Sequence, residues 1–79
     1  MYRYEITGEL LAHSEEGRKY RLIQYTKVLN LADAHTPTRW EPVGPDEYRT
    51  DSGERVIQLS ENDFLICGPK RVRIRSLPR

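Results

Sequence analysis

Seventy-nine residues, 37% of them hydrophobic and 32% charged, make one small domain with a thin core and leave no room for a large internal pocket. The formal net charge of +1 conceals a split, because residues 1–69 hold eight Lys or Arg against twelve Asp or Glu, whereas residues 70–79 hold five cations and no acid. A single cysteine, Cys67, excludes an internal disulfide, a zinc ribbon and a CxxC redox pair, so the core holds unstapled or with the help of a second subunit.

The chain opens on "MYRYEITGEL", where Tyr2, Tyr4, Ile6 and Leu10 share one parity and Arg3, Glu5, Thr7 and Glu9 the other. This period of two predicts a half-buried strand with the tyrosines on the core side. The segment lacks the apolar run of a signal peptide and no stretch reaches the length of a membrane span, so a cytoplasmic protein without membrane contact is expected. Leu11 and Ala12 blur the alternation, and "HSEEGRK" then supplies turn chemistry that reverses the chain into "YRLIQYTKVL". Tyr20, Ile23, Tyr25, Thr26 and Val28 favour a strand there, although Leu22, Thr26, Leu29 and Asp33 also follow helical spacing. Asn30 is placed to cap one helical turn in "NLADAH".

From about residue 36 to 46, Pro37, Pro42, Gly44 and Pro45 predict a connecting loop without regular pairing, inside one domain of residues 1–79. Trp40 sits in that loop, read first as a lid over the edge of the core and second as an anchor for a partner. The second half is more regular: "EYRT", "RVIQL", "FLIC" and "RVRIR" are β-prone runs separated by "DSGE", "SEND" and "GPK". Gly53 supplies the positive φ that such a turn demands, and "EEGRKYRLI" and "DSGERVIQL" read as two hairpins of one kind. The expected fold is all-β, a small antiparallel meander or an SH3-like or OB-like barrel of five to six short strands.

Catalytic signatures do not emerge. His13 and His35 have no spacing that joins them to Cys67 or to a serine, and Cys67 reads as a small hydrophobe ending a buried strand. HExxH, EF-hand, GxGxxG and GxxxxGK[ST] patterns are absent, so neither metal nor cofactor is expected, and the chain reads as a non-enzyme.

The closing stretch carries the functional question. With Val72 and Ile74 turned into the core, Arg71, Arg73 and Arg75 form a row on the opposite face, continued by Lys70. Such a row suits phosphates or an acidic protein surface, while the plainer reading is a solvated edge whose arginines pair with Glu5, Glu9, Glu54 or Glu61. The expectation is a non-catalytic binding or accessory module with nucleic acid as ligand through this arginine-rich strand. The alternative is a homo-oligomeric structural or protein-interaction module that binds no nucleic acid.

Overall fold

The structure, a computed structural model, describes residues 1–32, 35 and 37–77. It contains seven strands and, among the described residues, no helix: β1 Tyr2–Ser14, β2 Lys19–Asn30, β3 Trp40–Pro42, β4 Glu47–Thr50, β5 Arg55–Gln58, β6 Asp63–Cys67 and β7 Arg71–Ser76. The helical turn expected in "NLADAH" falls on residues that include 33 and 34, outside the described ones. Asn30 Oδ1 accepts the N–H of Ala32 at 2.9 Å, the local side-chain bond that Asn favours where a strand ends.

The strand pairings are all antiparallel, and β7 returns to β1 through Ala12↔Ser76, His13↔Arg75 and Ser14↔Ile74. The ring β1-β2-β4-β5-β6-β7 is a closed barrel, and its even strand number lets every pairing be antiparallel. Closure removes the free edges that a six-strand meander would otherwise expose. Inside lie Ala12, Leu22, Val56, Phe64, Ile66 and Ile74, packed on by Leu10, Tyr20, Tyr48 and Val72. Phe64 meets the Tyr48 ring edge-on at 5.1 Å. Each of the fully buried Phe64, Leu22, Ile66 and Ile74 side chains contributes on the order of 1.5–3 kcal/mol by leaving water.

The two long strands do not end at the barrel. β1 pairs with β7 only over its last three residues, and β2 meets β4 only over Leu22–Tyr25. Tyr2–Ile6 of β1 and the facing Tyr25–Leu29 of β2 therefore leave the barrel as a ribbon, here called the arm. The arm stretches the molecule to 55 × 28 × 19 Å, with a radius of gyration of 15.4 Å where about 12 Å is usual for this length.

A bulge separates arm from barrel and overturns the expected burial of the N-terminal tyrosines. The β1–β2 register slips between Ile6 and Gly8, so Ile6 faces Tyr25 while Gly8 faces Gln24. One extra residue flips the phase of the alternation. Leu10 and Ala12 consequently point inward, whereas Tyr2, Tyr4 and Ile6, of the same parity, stand 57%, 47% and 69% exposed on the outer face. Leu11, 55% exposed, joins that outer face for the same reason.

The proline-rich segment is also more ordered than its composition suggests. Trp40–Pro42 forms β3 against Val28–Asn30, contrary to the unpaired loop expected there. The Val43 N–H reaches Lys27 O, which makes Val28↔Pro42 a pair whose backbone groups turn away from each other, so the missing Pro42 N–H costs no ladder bond.

The two matching turns share one geometry. Ser14 N–H bonds Arg18 O and Gly17 N–H bonds Ser14 O, and Thr50, Glu54 and Gly53 repeat the pattern, each bond 2.9 Å. Gly17 and Gly53 take φ of 83° and 91°, values that disfavour a Cβ. The Ser14 and Thr50 hydroxyls accept the N–H of Arg18 and Glu54, closing loops of three residues with a glycine bulge.

Candidate functional site

The expected alternation in β7 is present. Ile74 is buried and Val72 half-buried against the core, while Lys70, Arg71, Arg73 and Arg75 are exposed. The pleat sets successive arginines roughly 6.5–7 Å apart along the barrel wall. Cys67, Leu65 and Asp63 of β6 stand opposite Arg71, Arg73 and Arg75.

Two further arginines, not singled out by the sequence pattern, share this wall. Val56, Ile66 and Val72 form one row of the ladder, so Arg55 and Arg71, each one residue earlier on strands of the same direction, are level with one another across β6. Arg49 of β4 pairs with Arg55, and both are exposed. The strand spacing separates β5 from β7 by about 10 Å, so the line of arginines along β7 is joined at the level of Arg71 by one row across the wall through Arg55 and Arg49, beside a row in which Arg73 faces Leu65 and Ile57. The signal was available in the sequence as the odd parity of Arg49 and Arg55. It stays silent there because nothing in the sequence fixes how β4 and β5 lie beside β7.

Intramolecular pairing does not neutralise this surface. Glu5 pairs with Arg3 and Glu9 with Arg21, while Glu54 accepts a hydrogen bond from the Ser52 hydroxyl. Among the described residues no carboxylate lies within ion-pair distance of Arg55, Arg71, Arg73 or Arg75. Asp63, opposite Arg75, instead accepts the Ser60 hydroxyl at 2.8 Å. At the lower end of β7, Arg18 and Tyr20 join Lys70, Arg71 and Arg73 in lining an open groove, which Glu15 and Glu16 also line. Cys67 belongs to this outer wall, half-buried, and not to the core; Phe64 and Ile66 fill the inward positions of β6.

Apart from Tyr20 at this groove and Tyr48 beside Arg49 and Arg55, the aromatic side chains lie away from these arginines. Tyr20 and Tyr48 pack on the barrel core, and Tyr2, Tyr4 and Tyr25 lie on the arm. Trp40 is half-buried on the other face of the arm, where the Arg3 guanidinium lies 4.1 Å from its ring. Val28, buried at 5% exposure, sits on β2 between these two residues' strands. Trp40 therefore helps lid the arm, and the barrel core closes without it.

No group of three or more His, Cys, Asp or Glu side chains among the described residues is gathered so as to hold a metal ion. Nor is there, among them, a helix long and apolar enough to cross a membrane. The chain matches no family model, no curated protein and no solved structure.

Proposed function

We propose that this protein is a non-catalytic module that grips the phosphate backbone of nucleic acid on the outer barrel wall of β4, β5 and β7. The observation that carries this reading is the solvent-exposed set Arg55, Arg71, Arg73 and Arg75, which has no carboxylate partner among the described residues. An arginine without an internal partner keeps its planar fork of donors for a ligand, and phosphate oxygens fit that fork in a bidentate way. Tyr20 and Tyr48, the two rings near these arginines, are packed on the barrel core, which favours contact with phosphates over stacking on bases, hence little sequence preference.

Fluorescence anisotropy of labelled mixed-sequence single-stranded DNA and RNA, taken from low to physiological salt, tests the proposal. Binding should weaken linearly on a log-log salt plot. The triple variant Arg71→Ser/Arg73→Ser/Arg75→Ser should lower the slope by roughly 0.7 for each phosphate that the substituted arginines no longer neutralise. No binding at low salt would overturn the reading, as would an unchanged slope in the variant.

A further inference from the structure

The arm has one protected edge and one open edge. β3 covers β2 on one side, and is itself blunted by its three-residue length, by Pro42 and by the Arg39–Glu41 ion pair. On the other side, β1 has β2 as its neighbour but meets β7 only from Ala12 onward, apart from the Leu77 N–H bond to Leu11 O. Tyr2–Ile6 thus form an edge that no described strand covers.

The direction of the backbone groups on that edge follows from a single bond. Asn30 N–H reaches Met1 O at 3.0 Å, so Tyr2↔Leu29 is a pair whose N–H and C=O groups point away from each other. The alternation carries this to Tyr4↔Lys27 and Ile6↔Tyr25. Tyr2, Tyr4 and Ile6 therefore aim their backbone donors and acceptors outward, and all three side chains lie on one exposed face, with the Tyr2 and Tyr4 rings edge-on at 6.1 Å. The charged residues between them, Arg3 and Glu5, lie on the opposite face and bond each other at 2.7 Å.

We propose that two copies of this chain join edge to edge through β1, antiparallel and centred on Tyr4. The self-complementarity of the segment selects this register. Centring on Tyr4 sets Tyr2 opposite the partner's Ile6, Tyr4 opposite the partner's Tyr4 and Arg3 opposite the partner's Glu5. All outward-facing backbone groups then pair at once, apolar side chains meet apolar ones, and opposite charges meet. Centring on Glu5 would set two glutamates face to face, and centring on Arg3 two arginines. The result is one continuous sheet from β3 through both β1 strands to the partner's β3, and it leaves the arginine wall of each barrel free.

Sedimentation equilibrium of the full chain from about 1 μM to 1 mM tests the proposal, the range being set by the small area that a short strand pair buries. The mass should rise from 9.3 kDa toward twice that value. Tyr4→Pro removes an N–H that bonds nothing inside the monomer, so it should keep the barrel's circular dichroism and abolish the rise. Arg3→Glu and Glu5→Arg, each alone, place like charges opposite each other and should both be monomeric. Mixed together, they should form a one-to-one heterodimer, since the internal Arg3–Glu5 pair is broken in both and only the pairing between chains is restored. A wild-type chain that stays monomeric across the range would overturn the proposal and leave the open edge to a strand of another protein. A folded Tyr4→Pro variant that dimerises like the wild type, or a charge pair that fails to combine, would overturn the register.

Discussion

Thr26 donates its hydroxyl to Asp46 Oδ1 at 2.8 Å, and this bond ties the root of the arm to the start of β4. Because the Thr26 proton is directed at a carboxylate, the 2.7 Å contact between Thr7 and Thr26 is one in which Thr7 donates. Gln24 donates to the other Asp46 oxygen, so a single carboxylate holds two residues of β2 directly and, through the Thr26 hydroxyl, Thr7 of β1. Thr26 is only 7% exposed, and water does not readily replace the missing acceptor. Asp46→Ala should therefore cost about 1–3 kcal/mol, and Asp46→Asn, which keeps one acceptor, less. Urea unfolding followed by Trp40 fluorescence, which reads the arm, checks this as a fall in that transition's midpoint at unchanged slope.

The paired turns predict a second, purely conformational cost. A Cβ at Gly17 or Gly53 would meet no atom within 4 Å, so Gly17→Ala and Gly53→Ala introduce backbone strain and no clash. Each should cost about 1–2 kcal/mol. In a domain of this size every kcal/mol corresponds to a fall in Tm of roughly 4–8 °C, readable by thermal melts. Asn at either position, which tolerates the left-handed region better, should recover part of the loss.

These two sites also mark how far the sequence was legible. Strands β4 to β7 could be placed because each is a short β-prone run bounded by turn residues such as Gly, Asp or Ser, and the inward Val72 and Ile74 with outward arginines followed from parity alone. The exposure of Tyr2 and Tyr4 could not be read, because a bulge at Thr7–Gly8 inverts the phase and a regular alternation gives no sign of one extra residue. Closure by β7 on β1, and with it the placement of Arg55 level with Arg71, depends on pairings between residues far apart in the chain, which no local pattern encodes. The hydroxyls of Ser14 and Thr50, three residues before each turn glycine, were a readable signal that the matching turns share.

Alkaline stability is expected to hinge on Tyr48. Desolvation against the barrel core, reinforced by the nearby Asp46 charge, raises its phenol above the usual value of 10.0. The folded state therefore resists deprotonation that the unfolded chain undergoes, so the contribution is fully present below pH 10 and is lost as pH climbs through the raised value. Thermal melts from about pH 8 to about pH 11 should show a steeper loss of Tm above pH 10 for the wild type than for Tyr48→Phe, which keeps the ring contact with Phe64 and has no proton to lose. Parallel pH profiles would show that other groups govern the alkaline limit.

The arm should open before the barrel does. Its one deeply buried apolar side chain is Val28, whereas the barrel holds Phe64, Leu22, Ile66 and Ile74 almost fully out of water. Local opening free energy follows such differences in buried apolar surface. Trp40, the sole tryptophan, lies on the arm under the Arg3 guanidinium and reports that element alone. In urea its fluorescence transition should precede the loss of far-UV circular dichroism, and Arg3→Ala should move the first midpoint down while leaving the second in place. Raising protein concentration should shift only the fluorescence midpoint upward, because pairing of β1 between copies stabilises the arm by mass action and adds nothing to either barrel core. Coincident transitions at all concentrations would mean that arm and barrel unfold as one cooperative unit, with the clasp on Asp46 strong enough to couple them.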